Sequence, residues 1–443
     1  MPSASGCLAI HGGLLLAALS SVAPVPAAGP EPPSPAATRH VDDPSTGAAL
    51  RFDEVLGRSS DVPRLRGIRD AGRVKRERDR EIPRLTQGPQ ITVMPGARVH
   101  PPENRGLELQ ITATQAWSLE GYGQRRHETA KAETEVLDAE ARAVALEQQL
   151  AAAHAWIELH AAELELAKAQ QELALARARR EALEVAIAAG VGTRPAVVEA
   201  HADETELQAL CTELAGLVHD LGLVLGREVG SDDPRPLRTI GAHPDPALPD
   251  DEELRRRFEQ VGSLPAVAVE RLRARALRAA AIENAASRGH QLFTGFSVQR
   301  EATSDLVLFG VVGMSLAGDR GQRQSATAAA EARMAEGRSE QQALELRAVL
   351  STVLHDLHHA RERVAILREE VIPTFEALEK AHSTAVDLGE GTTPDLLLAR
   401  RRRLAAQRRL VSADAALVWA RVQAWLYLEA FVAAESSGAE QDP

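Results

Sequence analysis

The sequence predicts a mostly helical α+β fold, with long antiparallel coiled-coil helices, short β-hairpins and an internal two-fold repeat. Three observations predict it. Residues 124–189 contain neither Gly nor Pro. Two pairs of segments alternate apolar and polar residues, as half-buried strands do. A glycine-rich motif at Gly190 recurs at Gly389, an offset of 199 residues (389 − 190), and Ala/Leu/Glu-rich stretches flank both copies.

The N-terminal residues 1–27 have the pattern of a secretory signal peptide. Residues 8–23 are mostly apolar but too few to span a bilayer as a helix, and Val25-Pro26-Ala27 supplies a small-residue cleavage site. No Lys or Arg precedes Arg39. We therefore expect an exported protein in which residues 28–50 form a disordered, Pro-rich linker.

Composition excludes several classes of protein. The chain has 51 Lys and Arg against 63 Asp and Glu, a net charge of −12, and gives no basic surface for nucleic acid. Cys211 is the only cysteine outside the signal peptide, which excludes an intramolecular disulfide. We expect no enzymatic activity, cofactor or metal, because the sequence has no P-loop, HExxH, GxSxG or dinucleotide-binding motif.

Long helices are predicted in both copies. The 66 residues of 124–189 would extend about 100 Å at 1.5 Å per residue. In the second copy, apolar residues step by four and three, the heptad seam of a left-handed coiled coil: Leu346, Leu350, Val353, Leu357, Ala360, Val364, Leu367 and Val371. The first copy has two stripes, which predict a neighbour on each side, as in a closed wall of helices: Leu146, Leu150, Ala153, Ile157 and Leu164, and Leu159, Leu166 and Leu173.

Two β-hairpins are predicted, at residues 89–117 and 291–317. In the first, Leu107, Leu109, Ile111 and Ala113 alternate with polar residues. The strands have roughly 8–12 residues, the length that crosses a bilayer obliquely. The mature chain has no stretch of 18 or more apolar residues, so membrane entry would require these strands. Four strands cannot close a barrel and lipid tolerates no open sheet edge, so several chains would have to pool their strands.

The recurring glycine motifs are predicted to be the turns of helical hairpins. Glycine permits the left-handed conformation that ends one helix. Threonine then caps the next helix, and proline fits its first turn. Asp395, in the first turn of the last helix, suits the positive end of the helix dipole. The turn residues are Gly190, Gly192, Thr193, Pro195, Gly389, Gly391, Thr392, Thr393 and Pro394.

These elements divide the chain into two copies of one unit, each with a helix, a β-hairpin and a long helical hairpin. Repeat 1 covers residues 51–230 and repeat 2 covers residues 251–431. Residues 231–250 are predicted to be a linker, and residues 432–443 a disordered tail.

From about residue 50 to residue 431 the sequence resembles the TolC family of outer-membrane efflux and channel proteins. The order of elements in both copies carries the resemblance, together with two local stretches. Val311-Val312-Gly313-Met314-Ser315-Leu316 resembles the strand-to-helix junction of these channels. Val371-Ile372-Pro373, with the residues 389–392 and 395–399 that follow, resembles the tip of the second helical hairpin.

The resemblance implies a homotrimer in the outer membrane. Each protomer would give four strands to one transmembrane β-barrel and four long helices to an α-barrel in the periplasm. The helical-hairpin turns would dock a periplasmic adaptor protein that joins an inner-membrane efflux pump. The trimer would be the passive exit duct of a tripartite efflux or type I secretion system. Asp395 would lie at the channel aperture, and Leu398 stands where the family can carry a second acidic residue.

Other interpretations stay open at this point. A periplasmic coiled-coil adaptor or a structural spacer is the main one, although two hairpins with membrane-length strands disfavour it. His355, His358 and His359 share a helix face, which suits either a divalent-cation-binding export component or a solvated surface. The basic run of residues 400–403, with Arg408 and Arg409, indicates a solvated face or ion pairs between helices more than an anionic ligand.

Overall fold

The structure is a computed structural model that describes residues 47–81, 89–98, 106–118, 121–287, 291–300, 306–315 and 320–439. The predicted signal peptide, residues 1–27, lies outside these ranges. So do residues 28–46 of the predicted linker and the connections within both β-hairpins.

The described chain runs through the same order of elements twice: helix, β-hairpin, long helix, glycine turn and return helix. The first series is β1 Ala49–Leu50, α1 Phe52–Ser59, α2 Pro63–Arg80, β2 Gln90–Arg98, β3 Gly106–Ser118, α3 Tyr122–Ala188 and α4 Arg194–Glu228. The second is β4 Arg238–Thr239, α5 Asp251–Glu259, α6 Pro265–Ala286, β5 Gln291–Arg300, β6 Leu306–Ser315, α7 Arg320–Ile366, α8 Ile372–Asp387 and α9 Thr393–Ala439. Because α9 ends at Ala439, helix extends past residue 431, where a disordered tail was predicted to begin.

The helices are as long as the sequence predicts. The 67 residues of α3 extend about 100 Å. A π-helical segment, Leu367–Val371, joins α7 to α8, so that these elements form one continuous rod. Pro373 is the second residue after this segment. Proline has no N–H for the helical hydrogen-bond ladder, and a local π-type widening is one way in which a helix accommodates it.

The heptad seam of the second copy is buried in its central part. Leu350, Val353, Leu357 and Val364 are each 5% exposed or less, whereas Leu367 and Val371, in the π-helical segment, are only half-buried. On α3, Ile157 is buried as predicted, but Leu164 is 38% exposed, against the prediction. A straight α-helix drifts by about 20° per heptad, which turns that stripe away from the neighbouring helix.

The four longer strands form one antiparallel sheet in the order β2-β3-β5-β6. The two hairpins therefore join through β3 and β5, where Ala113 lies opposite Phe296. Gly295 makes this approach possible, because a Cβ at that position would lie 2.8 Å from Thr114 Cα. In the described residues β2 and β6 each pair with one strand only. Pro95, which has no N–H to donate, lies in the edge strand β2.

Two adjoining hydrophobic clusters hold the helices together. The first surrounds Trp156, which is fully buried and donates its indole N–H to the Leu50 carbonyl oxygen at 2.9 Å. The second surrounds Phe258 and Leu357. Leu146 and Leu150 pack against both clusters. Because Leu50 is only 1% exposed, residues 47–50 are ordered and not part of a disordered linker.

Residues 231–250, predicted to be a plain linker, form an ordered strap across α3. Leu237 is buried, and its N–H donates to the Gly222 carbonyl oxygen on α4 at 3.1 Å. Arg238 and Thr239 both contact Glu163 on α3, through an ion pair at 2.7 Å and a hydroxyl hydrogen bond at 2.5 Å. Strand β4 in the strap pairs in parallel with β1. The strap therefore ties the N-terminal residues to α3 and α4.

A histidine pair, His160 of α3 and His243 of the strap, lies where the strap crosses α3. The His160 ring stacks on Trp156 with 4.9 Å between ring centroids, and the edge of His243 meets it at 4.6 Å. His160 Nδ1 lies 2.8 Å from Thr239 Oγ1, and Thr239 in turn donates to Glu163. Burial, and to a lesser degree the neighbouring His243, lowers the pKa of His160 to about 4. Burial also lowers the pKa of His243, against the attraction of Asp414.

The contact between Gly222 and the strap predicts a difference between two glycines of α4. A Cβ at Gly222 would lie 2.6 Å from the Leu237 carbonyl oxygen, whereas a Cβ at Gly216 meets nothing within 4 Å. We expect Gly222→Ala to lower the free energy of unfolding by about 1–3 kcal/mol through overpacking. Gly216→Ala should raise it by about 0.5–1 kcal/mol through helix propensity. Thermal unfolding of the two purified variants measures this, and equal midpoints would contradict the close packing of the strap.

The histidine pair predicts that acid loosens the strap. Above pH 6.5 His160 is neutral in the folded and the unfolded chain. As the pH falls from 6.5 towards 4, the unfolded chain takes up the proton first, so folded stability decreases. His160→Asn should flatten the dependence of the thermal midpoint on pH in this window, while His201→Asn, at an exposed position on α4, should not. A wild-type midpoint that stays constant from pH 6.5 to pH 4 would refute the assignment.

Candidate functional site: an amphipathic sheet and two helical-hairpin turns

One face of the four-stranded sheet is apolar and exposed. Residues directly opposite each other in an antiparallel sheet share a face, so the register Val93↔Ile111↔Val298↔Leu308 is a row of four aliphatic side chains. The neighbouring rows on this face are mostly apolar, with Arg300 at the end of β5 and Gln115 and Thr294 nearer the helices as the polar members. Several apolar side chains on this face are more than half exposed: Ile91 70%, Val93 54%, Phe296 56%, Leu306 72%, Leu308 68%, Val312 78% and Met314 60%. So large an apolar surface requires a cover that the described part of the chain does not supply.

The opposite face carries a line of hydrogen-bonded polar side chains. Gln110 donates its amide N–H to Ser297 Oγ at 3.0 Å, and the Thr112 and Ser297 hydroxyls lie 2.8 Å apart. Ser297 is fully buried beneath its neighbours. Thr92 continues the row on β2, opposite Thr112. On β6 the row ends at Phe309, opposite Ser297, so the polar line extends over β2, β3 and β5. Uncharged amides and hydroxyls of this kind suit contact with water.

Trp117 marks the end of the sheet nearest the helices. It lies on the apolar face and is 44% exposed, and its indole N–H donates to Thr294 Oγ1 at 2.9 Å. Five residues later α3 begins at Tyr122, after Gly121 in a left-handed conformation (φ 69°). At this same end of the sheet β6 precedes α7 and α6 precedes β5. Each hairpin therefore runs directly into a long helix.

Both helical hairpins turn through the same backbone motif. Gly190 (φ 78°) and Gly389 (φ 75°) are left-handed. The next N–H groups, of Val191 and Glu390, donate back to the Ala186 and Ala385 carbonyl oxygens at 3.0 Å and 2.8 Å. This is the pattern of a Schellman motif. The second glycine of each motif is needed for space, because a Cβ at Gly192 would lie 2.7 Å from the Ile187 nitrogen, and one at Gly391 would lie 2.9 Å from Ala385 Cβ.

The two turns differ at their threonines. Thr392 Oγ1 accepts from the Asp395 backbone N–H at 3.3 Å and donates to the Asp395 carboxylate at 2.5 Å. Thr193, at the start of α4, makes no side-chain cap hydrogen bond. The third residue of α9 is Asp395, whereas that of α4 is Ala196. Only the second turn therefore has a carboxylate that can accept a hydrogen bond from the threonine hydroxyl. Pro195 and Pro394 are the second residues of their helices, and Thr393 is the first of α9.

Asp395, the candidate aperture residue, is exposed at the start of α9. Its carboxylate is engaged by Thr392, which accounts for the residue as a helix cap. Any role at a channel aperture would be additional to this contact.

Most of the basic run on α9 forms ion pairs with neighbouring helices, one of the two outcomes that the sequence indicates. Arg408 pairs at 2.9 Å with Glu172 on α3, whose side chain is 3% exposed. Arg401 and Arg179 share Asp203 on α4, at 2.5 Å and 3.0 Å. Arg400 and Arg403 both pair with Glu379 on α8. Two further members of the run, Arg402 and Arg409, are exposed.

The histidines of α7 cluster on its surface. His359 lies 4.3 Å from His355 and 5.8 Å from His358, measured between ring centroids, and both His358 and His359 contact Glu362 at 3.3–3.4 Å. Within the described ranges no group of three or more His, Cys, Asp or Glu residues has an arrangement that would hold a metal ion.

One described helix, α4, is long and apolar enough to cross a membrane by length and composition. A single helix of this kind is weak evidence for a span. It packs on α3 through Leu207, which contacts Leu173 and Ala176. We therefore describe α4 as one arm of the first helical hairpin.

Comparisons with known proteins find similarity in structure but not in sequence. No family model matches the chain, and no curated protein matches it. Among solved structures, the outer-membrane channel OprN matches with a TM-score of 0.67 and 20% identity, over 87% of this chain and 89% of that one. The outer-membrane channel CmeC of Campylobacter jejuni matches with a TM-score of 0.62 and 10% identity, over 91% and 94%. CusC, described in terms of transmembrane channel formation, matches with a TM-score of 0.61 and 13% identity, over 89% and 95%.

At 10–20% identity these matches show the fold. The chain has the fold of outer-membrane channels that belong to the TolC family, which confirms at the level of fold the resemblance predicted from the sequence.

The different threonine caps predict unequal effects of one substitution. Thr392→Ala removes the acceptor for the Asp395 N–H and should destabilise the first turn of α9 by about 1 kcal/mol. Thr193→Ala removes no such bond and should leave the first turn of α4 unchanged. Amide hydrogen exchange of the two turns measures this directly. Equal loss of protection at both turns would show that the two threonines cap alike.

Proposed function

We propose that the chain is the outer-membrane channel subunit of a tripartite efflux or type I secretion system. In this role it is exported by its signal peptide. Its sheet lies in the outer membrane and its helices lie in the periplasm. The role is passive: cargo delivered by an inner-membrane pump through an adaptor enters the helical end and diffuses out. No catalysis is required of the chain.

The exposed apolar face of the sheet carries this proposal. The strands have 9–13 residues, enough to cross the hydrocarbon layer at an oblique angle. Lipid would cover the aliphatic rows, and the uncharged row of Gln110, Thr112 and Ser297 would face an aqueous lumen. The solved structures with the same fold are described as outer-membrane channels, which supports this placement.

A homotrimer would satisfy the edge strands. Lipid supplies no hydrogen-bond partners, so the free edges of β2 and β6 would have to pair with neighbouring protomers. Three chains with four strands each would close one barrel. The long helices α3 and α7–α8, with their return helices, would close an α-barrel beneath it.

The hairpin turns are the proposed docking points for the adaptor. The turns at Gly190 and Gly389 end the two helical hairpins, at the far end of the helices from the sheet. Their Schellman geometry gives two similar, rigid tips to one partner. Asp395, one turn into α9, would then narrow the aperture as a ring of three carboxylates.

The rival interpretation is a periplasmic adaptor or spacer. Such a protein would be soluble, and it would have no use for a sheet face whose side chains are up to 78% exposed and apolar. The match over about nine-tenths of the length of channel structures also disfavours it.

Neighbouring residues of β2 provide a matched test, because Val93 lies on the apolar face and Thr92 on the polar face. Val93→Arg would place a charge against lipid, at a cost of about 2–4 kcal/mol near the bilayer midplane, and should abolish membrane assembly. Thr92→Arg should retain it. Membrane fractionation followed by planar-bilayer conductance measures both variants.

A soluble, non-conducting wild-type chain would overturn the proposal. So would a Val93→Arg variant that assembles and conducts like Thr92→Arg.

A further inference from the structure

Near the sheet, the helices stand in the same order as the strands that they adjoin. Helix α2 precedes β2, α3 follows β3, α6 precedes β5 and α7 follows β6. Helix α2 packs on α3, α3 packs on α6, and α6 packs on α7, so the helix order α2-α3-α6-α7 repeats the strand order β2-β3-β5-β6. Helices α2 and α7 therefore stand at the two ends of the row, as β2 and β6 do in the sheet.

Ion pairs show which parts of α2 and α7 are level with each other. Three pairs lie within about one helical turn of one level, which we call the ion-pair level: Lys75–Glu133 between α2 and α3, Glu135–Arg275 between α3 and α6, and Arg278–Glu336 between α6 and α7. Helix α2 runs towards the sheet and α7 runs away from it. Falling residue numbers from Lys75 on α2 therefore match rising numbers from Glu336 on α7.

Helix α7 carries an exposed stripe on the face turned away from α6. Its buried face includes Ala328, Ala332 and Ala335, each 8% exposed or less. On the opposite face the exposed residues step by four and three, the spacing of a coiled-coil seam: Ala330, Met334, Gly337, Gln341, Leu344 and Ala348. Met334 and Leu344 are each 57% exposed. The described chain therefore leaves a seam of α7 without a partner helix.

Helix α2 has a similar stripe. Its buried side packs on α3 through Leu65, which clusters with Val144, and through Gly72, where a Cβ would lie 3.8 Å from Leu137 Cβ. On the other side the exposed residues again step by four and three: Pro63, Gly67, Asp70, Val74 and Glu77. This face of α2 is also uncovered in the described chain, and Val74 is 46% exposed.

The two stripes are complementary in shape. Val74 and Gly337 each lie one residue from the ion-pair level, on the side away from the sheet. Gly67 and Leu344 each lie eight residues from that level, on the same side. A Cβ at either glycine would meet nothing within 4 Å. Each stripe therefore has an exposed apolar side chain level with an open glycine of the other stripe, as knobs-into-holes packing requires.

The charges beside the stripes are complementary too. Glu77 and Arg78 lie just on the sheet side of the ion-pair level on α2, and Arg333 and Glu331 lie just on the sheet side of it on α7. All four side chains are exposed, and none forms an ion pair with another described residue. Each helix therefore offers one carboxylate and one guanidinium to a helix of the other kind.

We propose that the stripe of α7 packs against the stripe of α2 in a second copy of this chain, as an antiparallel helix pair. The inference rests on the proposed function and deepens it. When β6 of one copy pairs with β2 of the next, the helices that adjoin these edge strands come side by side. Val74 would then contact Gly337, and Leu344 would contact Gly67. The contact between copies would continue from the strands into the helices.

Pairs of introduced cysteines test this contact in the full-length protein. Cys211 is first replaced by serine, because it is the only cysteine outside the predicted signal peptide. Val74→Cys/Gly337→Cys places one thiol on each stripe, and α3 and α6 separate the two positions within one chain. Val74→Cys/Ala348→Cys is the matched control, because Ala348 lies on the same stripe about 16 Å farther along α7. Outer membranes that contain either variant are oxidised with copper phenanthroline, and the covalent products are sized on a non-reducing gel.

We expect Val74→Cys/Gly337→Cys to give disulfide-linked products of up to three chains, and the control to give several-fold less. An intact oligomer in which Val74→Cys/Gly337→Cys stays unlinked would overturn the helix contact and leave the proposed function standing. Equal linking of the two variants would show that the helices have no fixed register, which would also overturn the contact. A soluble single chain would overturn the proposed function as well, so the two failures are distinguishable.

Discussion

The unpaired edges of the four-stranded sheet constrain how the rest of the molecule can assemble. Strands β2 and β6 each use one side of their backbone for pairing within the described chain, and the apolar face between them is widely exposed. In water such a sheet would aggregate through its edges, and in lipid its free N–H and C=O groups would be unsatisfied. Pairing with further copies would satisfy the edges, and lipid would cover the apolar face. Each hairpin continues directly into a long helix, so closing the strands into a ring would also bring the helices together in a ring.

Apolar clusters and ion pairs together hold the helical part. Around Trp156 and Phe258 the contacts are apolar and the strap adds a layer across α3. Towards the hairpin turns the helices meet through ion pairs such as Arg408–Glu172 and Arg401–Asp203. Buried ion pairs contribute little net stability, because desolvation offsets their attraction, but they fix which helices are neighbours. The apolar clusters therefore stabilise the helical part, and the ion pairs determine which helices lie side by side.

The sequence predicts what is periodic or local. The buried seam from Leu350 to Val364 and the left-handed Gly190 and Gly389 follow from spacing and from turn chemistry alone. Pairing between distant short segments leaves no periodic signal, so the pairing of β3 with β5 and the packing of the strap against Gly222 can be seen only in the structure. The difference between the caps at Thr193 and Thr392 could have been predicted from the third residue of each helix, which is Ala196 in α4 and Asp395 in α9. The similarity of the two glycine motifs instead predicted identical caps. Docking at the turns and an aperture at Asp395 stay proposals, because a single chain contains neither the partner nor the ring.

If several copies of this chain pool their strands in the membrane, the intact mass of the membrane complex must be a multiple of the mass of one chain. Full-length protein extracted from outer membranes in mild detergent would be weighed by native mass spectrometry. We expect a complex of three identical chains. A single chain that is stable in the membrane would contradict it, because β2 and β6 would then have no partners for their free edges.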